Sequence, residues 1–232
     1  MNKLKNILIG LVATISLTSV AYAGSFGLGV TGSYTKIEAD GSETEGAGDA
    51  EITKTNVDNN ATIISGFLEY SLDDATWANG TGNGLTFGIE YTPGAADVSE
   101  KVFSRTDATS NALEAVQDDG TRTANAEVEK YVNAYLEIPV YSALYVKAGY
   151  SQIDVITNET STITTSGKYG NKTLNGTNLG IGFKGVTTNN IIWKLAYEAT
   201  NFDTLNLTST TGNKLKADLD TSAVSLSLGY RF

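Results

Sequence analysis

The residue types that most often carry out chemistry are missing from this chain. Among 232 residues there is no histidine and no cysteine, so the usual nucleophile–base pairs of acyl transfer have no members here. Carboxylates and amines remain. Glu69 and Glu90 fall on neighbouring apolar-alternating segments and are the pair that could do carboxylate-only acid–base work. The plainer reading of both is membership of an internal salt-bridge network. Acidic clusters recur at 38–51 ("EADGSETEGAGDAE"), at Asp118 and Asp119, and at Asp218 with Asp220. Oxygen-rich loops of this kind can hold Ca²⁺ or Mg²⁺, because hard cations take oxygen ligands. None has the spacing of an EF-hand, and no cofactor motif accompanies them. Several Asn-x-Thr triplets (Asn60, Asn158, Asn171, Asn175) follow from a composition rich in both residues.

The N-terminal segment says where the chain goes. "MNKLKNILIGLVATISLTSVAYAG" has a short basic start at Lys3 and Lys5, an apolar run from Ile7 to about Val20, and "AYA" before Gly24. That is the order of a secretory signal peptide with an A-x-A cleavage site, and the run is too short and too rich in Thr and Ser for a comfortable spanning helix. Cleavage after Ala23 is expected, leaving a single domain over 24–232. Without Lys3 and Lys5 the chain has 14 basic against 26 acidic residues. That balance argues against nucleic-acid binding, which needs a basic footprint. Gly is frequent, Pro occurs twice, and no long amphipathic helix appears. The exported portion reads as all-β.

Eight segments alternate apolar and polar residues with the period of two that marks half-buried strands. They cover approximately 25–37, 61–72, 85–92, 127–138, 144–156, 174–185, 191–201 and 218–232. Between them, 38–60, 93–126, 157–173 and 202–217 are long and polar, whereas "DDATWANGTGNG", "PVYSA" and "GVTTN" are shorter. Alternation of long and short connections is the signature of an up-and-down antiparallel barrel with its long loops at one end, as in outer-membrane barrels. A ten-stranded count follows if 93–126 hides a hairpin around "KVFSRT".

Which face is apolar separates a membrane barrel from a soluble one. Ile64, Leu68, Tyr70 and Leu72 share a face, as do Leu144, Val146, Ala148 and Tyr150, and Val224, Leu226, Leu228, Tyr230 and Phe232. The opposite parity carries Gly, Ser, Thr and Asn together with Glu69, Glu90, Glu137, Lys147, Lys184, Lys194, Glu198 and Arg231. With the apolar face toward lipid, these four acids and four bases line the interior, where pairing recovers most of the several kcal/mol that an unpaired buried charge costs. Glu137 and Lys147 are expected to meet diagonally across the short 139–143 turn. Glu69 and Glu90 repel unless Lys184, Lys194 or Arg231 reaches them.

Aromatic residues fall at two heights. With odd strands running outward, Tyr34, Tyr91, Tyr150 and Tyr197 sit at outer ends. Phe26, Tyr70, Phe183 and Trp193 sit at inner ends with Tyr230 and Phe232. Amphipathic rings settle at lipid–water boundaries in this way. The eight residues from Phe26 to Tyr34 give roughly 20 Å of height at a rise of ~3.3 Å and a ~40° tilt, which suits a thin outer membrane.

These features resemble the small outer-membrane β-barrels of the OmpA-like and OmpX-like families, in architecture over 24–232 more than in shared words. "SAVSLSLGYRF", with its aromatic last residue, is similar to the C-terminal signal such proteins present to the barrel-assembly machinery. "YSALYVKAGYS" resembles the family's second turn and fifth strand. The resemblance implies a cell outer-membrane location in a Gram-negative bacterium, contact with lipid and lipopolysaccharide, a monomer and no cofactor. Barrel lipases, acyltransferases and proteases are similar to one another in needing a histidine that this chain lacks, so no enzyme is expected. The full-length OmpA type continues into a peptidoglycan-binding domain, and that property is not carried over. The expected role is structural or surface-interacting, through long outer loops whose partner the sequence does not name. The alternative is a small porin-like channel for ions or polar solutes: eight strands leave an interior that side chains just fill, but interior Gly, Ser and Thr fill poorly and could leave a wet thread. A conduit for hydrophobic ligands is not expected, since its lumen should be apolar.

Overall fold

The structure is a computed structural model that describes residues 24–44, 52–72, 84–99, 103–107, 120–162 and 167–232. The proposed signal segment 1–23 lies outside these. Ten strands follow in chain order: β1 (Gly24–Thr44), β2 (Ile52–Leu72), β3 (Thr86–Asp97), β4 (Phe103–Asp107), β5 (Gly120–Tyr141), β6 (Leu144–Ser161), β7 (Lys172–Val186), β8 (Ile191–Phe202), β9 (Leu205–Thr208) and β10 (Lys214–Arg231). All lie in one antiparallel sheet, ordered β1-β2-β3-β5-β6-β7-β8-β10, and β10 returns to pair with β1. The ring therefore has eight positions. β4 pairs with β5 at Phe103↔Ala124, just beyond the last β3 pair at Asp97↔Glu127. It continues the line of β3 and does not form the extra hairpin that a ten-stranded ring would need. β9 continues β8 along β10 in the same way.

The strands run further outward than their apolar alternation predicts. β1 and β2 stay paired to Thr44↔Ile52, so much of the polar stretch read as loop at 38–60 is sheet, and 120–126 joins β5. Above the lipid both faces of a strand can be polar, and the alternation that flags a strand fades while the ladder continues. The short connections sit at the other end. Tyr141 opposes Leu144, with Ser142 at φ 50 in the turn, and Asn190 at φ 61 turns β7 into β8.

Parity sorts the side chains as a membrane barrel requires. Leu28, Val30, Leu68, Leu179, Leu195 and Leu226 are exposed, each at about half or more of its surface, while Ser65, Glu69, Glu137, Lys147, Ser151 and Lys194 are buried. A second apolar cluster is buried inside the outer half: Ile37, Val98, Ile153, Val155, Leu174, Leu205 and Leu219. In β1, apolar residues change sides between Tyr34, which points out, and Ile37, which points in. β6 and β10 do the same between Tyr150 and Ile153 and between Val224 and Leu219. Outside the membrane the solvent is water, so the apolar face turns to the interior. In β5 a register shift between Glu129 and Val132, with Lys130 at φ 52, performs this switch by inserting one residue.

Candidate functional site

The inward parity of β2, β5, β7 and β8 places Glu69, Glu137, Lys184 and Lys194 at one level of the lumen. Lys184 Nζ lies 2.8 Å from Glu69 Oε1 and 3.0 Å from Glu137 Oε2. Lys194 Nζ pairs with Glu69 Oε2 and lies 2.7 Å from Glu137 Oε1. Two acids and two bases thus form a closed square of alternating charge, each carboxylate oxygen facing one ammonium. All four side chains are at most 6% exposed. Lys184 also donates to Thr86 Oγ1 at 3.1 Å, and Thr86 is 2.7 Å from Ser71.

A second knot stands beside the square. Lys147 Nζ donates to Glu198 at 2.8 and 2.9 Å and to Glu90 Oε2 at 3.4 Å, and Ser65 Oγ donates to the other oxygen of Glu90. Tyr135 separates the knots: its ring centroid is 4.3 Å from Lys147 Nζ and 5.3 Å from Lys194 Nζ. Phe67 receives Lys194 on its face at 4.5 Å. The negative faces of such rings attract an ammonium. Toward the outside come the neutral contacts Asn178 Nδ2 to Thr200 Oγ1 at 2.9 Å, Ser151 Oγ to Tyr131 Oη at 3.1 Å, and Thr31 with Ser227 at 2.8 Å.

The pairing differs in detail from the expectation. Glu137 and Lys147 are direct cross-strand partners in the ladder, not diagonal ones, yet each takes its ion pairs elsewhere. Glu69 is reached by both predicted lysines, but Glu90 is reached by Lys147. Arg231 lies on the inward parity at the chain's end, and the two knots comprise the other seven charges. Interior glycines lie against aromatic rings. Gly88 faces the Tyr135 ring, and a Cβ added at Gly229 would sit 2.7 Å from the tip of Phe67. One at Gly182 would sit 2.8 Å from Tyr145 Oη. These glycines make room for the rings of Tyr135, Tyr145 and Phe67.

Two cavities lie outward of the knots. The lower, of about 180 Å³, has Glu90 and Glu198 among its lining with Tyr131, Thr200 and Ser225, and Ile37, Ile153 and Leu219 beyond them. The upper, of about 380 Å³, has Val57, Val98, Val155, Leu174 and Leu205 in its lining, with Glu43, Glu159 and several threonines beside them. The outer lumen therefore holds a buried apolar cluster, Ile37, Val98, Ile153, Val155, Leu174, Leu205 and Leu219, where a polar interior is expected from the inner strands. The parity change after each outer tyrosine is the sequence signal that would have revealed it.

The remaining predicted residues are placed on the outside. Phe26, Tyr34, Tyr91, Phe183, Trp193 and Tyr197 are exposed and Tyr150 is half-buried. Tyr70 departs from the set. It shares the outward row with Phe26, but its ring leans over Gly24 and against Phe26 at 4.8 Å between centroids, and it is only 7% exposed. Val224, Leu226, Leu228, Tyr230 and Phe232 all project outward, and the Phe232 amide donates to Phe26 carbonyl at 2.8 Å. Of the acidic clusters, 38–44 is strand, with Glu43 accepting from Tyr169 Oη at 2.7 Å, while 45–51 and Asp118 and Asp119 lie outside the described residues. Asp220 accepts from Asn201 at 2.8 Å and Asp218 from Thr204 at 2.5 Å.

Similar solved structures include Ail, the attachment invasion locus protein of Yersinia pestis, solved with the heparin analogue sucrose octasulfate. It is 14% identical, with a TM-score of 0.41, over 90% of this chain and 97% of that one. Neisserial surface protein A is 13% identical, with a TM-score of 0.38, over 90% and 99%. OprG of Pseudomonas aeruginosa is 12% identical, with a TM-score of 0.41, over 91% and 97%. No curated protein matches the chain. The profile of the outer membrane protein β-barrel domain matches residues 8–232. With the ring of strands and the lipid-facing apolar rows, this match identifies the chain as a member of that family, located in the outer membrane.

Proposed function

We propose that this is a non-enzymatic, plugged barrel whose work is structural or surface-interacting, done by the part of the sheet that stands outside the membrane. The observation that carries this reading is the pair of charge knots, which occupy the lumen at the level of the lipid-facing rows. Each lysine is held by two carboxylates, so ions could cross only by displacing buried ion pairs. The outer sheet supports the other half of the reading. β1 and β2 run paired some ten residues beyond Tyr34, which is roughly 25 Å at the ~40° tilt and ~3.3 Å rise of a barrel strand. The absence of histidine and cysteine from the sequence argues against acyl-transfer chemistry.

In this reading residues 1–23 are a cleaved signal peptide and the short turns face the periplasm. The exposed aromatics mark the two lipid–water boundaries, and the row from Val224 to Phe232 is the tag for the barrel-assembly machinery. The protein works as a monomer in contact with lipid and lipopolysaccharide. The test is single-channel conductance of the refolded chain in a planar bilayer beside Lys147→Ala and Glu137→Ala. Silence from the parent supports the plug. Steady parental conductance that either variant alters would replace it with a small charge-filtered pore.

A further inference from the structure

The wall of the barrel is not closed to the same height all round. β2 and β3 are paired only from Ser71↔Thr86 to Gly66↔Tyr91, six rungs. Yet β2 continues outward to Ile52 on β1, and β3 continues to Asp97 on β5. Among the described residues no ladder joins them beyond Gly66 and Tyr91. The local sequence fits an opening. Pro93 has no N–H to give a ladder, and the register shift between Thr92 and Ala95 bends β3 at Gly94. Higher up, Asn59 Nδ2 donates to Asp97 carbonyl at 2.7 Å and bridges the two strands again. The gap therefore has a sill at Gly66 and Tyr91 and a lintel at Asn59 and Asp97.

The lower cavity borders this gap, with Thr62 and Ile64 of one jamb and Thr92, Gly94 and Ala95 of the other in its lining. Its lining includes inward residues such as Ile37, Tyr131 and Ile153, and also Ile64, which is 70% exposed on the outer face of β2. A cavity lined from both faces of one wall is a window. Tyr91 is the last paired residue of β3, and Tyr34 pairs with Thr62 on the other jamb, so the opening lies at the height of the outer tyrosines. Unpaired backbone is tolerable there and not deeper, because hydrocarbon offers it no partner.

We propose that this window admits, from the outer leaflet, the head group and first carbons of an uncharged or cationic amphiphile, which bind in the cavity behind it. At about 180 Å³ the space exceeds the ~150 Å³ of an apolar cavity known to take benzene. It holds a head group and a few carbons, with the rest of the chain leaving through the window. The lining is graded to match. Ile37, Ile153 and Leu219 offer apolar surface, while Thr92, Thr200 and Ser225 offer hydroxyls near the floor. The floor itself selects by charge, since Glu90 and Glu198 share the single ammonium of Lys147. One negative charge is left over, which repels an anionic head and accepts a neutral or cationic one. The site does not depend on whether the barrel conducts, because its floor is the Lys147 knot and its path runs sideways.

The test uses the mature chain in nanodiscs of deuterated lipid, with protonated dodecylamine, dodecanol or dodecanoate added in turn. Contacts are read as intermolecular nuclear Overhauser effects (NOEs) from the alkyl chain to protein methyls. Expected are contacts to Ile37, Ile153 and Leu219 from the amine and the alcohol, and about tenfold weaker binding of the carboxylate. Glu198→Gln, which balances the floor, should narrow that difference. Ala95→Trp, which fills the window, should abolish the interior contacts while leaving those to outward Leu28 and Leu226. Those outward contacts also report that the variant has folded. Contacts confined to Leu28 and Leu226 with every probe would overturn the site, and equal binding of all three probes would overturn the selection by charge. Loss of interior contacts with Leu215→Trp, at a position that lines the upper cavity one rung below the outer end of the β1–β10 joint, but not with Ala95→Trp, would mean entry from the medium and overturn the window.

Discussion

Replacing Glu137 by Gln removes one corner of the charge square without changing its shape. In the parent, Glu137 lies 3.0 Å from Lys184 and 2.7 Å from Lys194, so the variant leaves two buried ammonium groups to one carboxylate, Glu69. Each lost pair has a gross attraction of roughly 5 kcal/mol at an effective dielectric near 20. Against this stand the relieved repulsion between Glu137 and Glu69 and the desolvation that one carboxylate no longer needs. Breaking a buried pair in this way ordinarily costs about 3–5 kcal/mol net, and because Glu137 serves two partners the upper half of that range is expected. Removing Lys184 as well restores neutrality and leaves Glu69 paired with Lys194. The double variant Glu137→Gln with Lys184→Gln should therefore be more stable than the sum of the two singles by ~1.5 kcal/mol or more. The assay is equilibrium urea unfolding in lipid vesicles, followed by the mobility difference between folded and unfolded barrel on a gel. A Glu137→Gln variant within ~0.5 kcal/mol of the parent would refute the reasoning, since an uncompensated buried charge cannot be that cheap. Strict additivity of the two singles would refute the square.

Three other perturbations probe the remaining parts. Gly88→Ala drives a methyl into the Tyr135 ring that fills the lumen between the knots, and should cost about 1–3 kcal/mol in the same unfolding assay; a neutral result would mean that the ring has room to move. Leu219→Ala, in the apolar cluster of the outer half, should cost ~2–5 kcal/mol. The loss should appear as faster amide exchange in β1, β6 and β10 above the tyrosines, with the lipid-embedded rungs unchanged, and uniform exchange loss would contradict two separate interiors. Removing Phe232 should impair insertion in cells severalfold while leaving refolding in detergent intact, measured by surface labelling and by gel mobility; normal insertion would sink the proposed assembly role.

The barrel was legible because lipid and lumen impose opposite demands on alternate residues. A row such as Leu226, Leu228 and Tyr230 admits few other readings, and interior charges betray themselves by sitting opposite it. Partners were less legible. Which lysine meets which acid depends on the stagger of strands around the ring, so Lys147 reaches across to Glu198 and Glu90 although Glu137 is its neighbour in the ladder. The outer half was misread for a different reason. A period of two says that a strand has two unlike faces, but not which solvent each one meets. Ile37, Ile153 and Leu219 belong to the lumen only because the solvent changes along the strand. The glycines misled in a similar way: smallness along a wall reads as empty space until the ring opposite it, Phe67 or Tyr135, is placed.

The joint between β1 and β10 is the longest among the seams of the ring that unite distant parts of the chain, with 18 matched residues from Gly27↔Arg231 to Thr44↔Lys214. Its two sides are roughly two hundred residues apart at the inner end, so it is among the last contacts a growing chain can make and among the most expensive in loop closure. Until β10 has emerged, β1 has one satisfied edge and one bare edge of full length, an open template for any other strand it meets. A protein built this way crosses the periplasm as an aggregation hazard. Escort during transit is consequently as much a requirement of this topology as insertion is, and slowing the arrival of the last strand should harm the cell more than weakening any single pair within the finished wall.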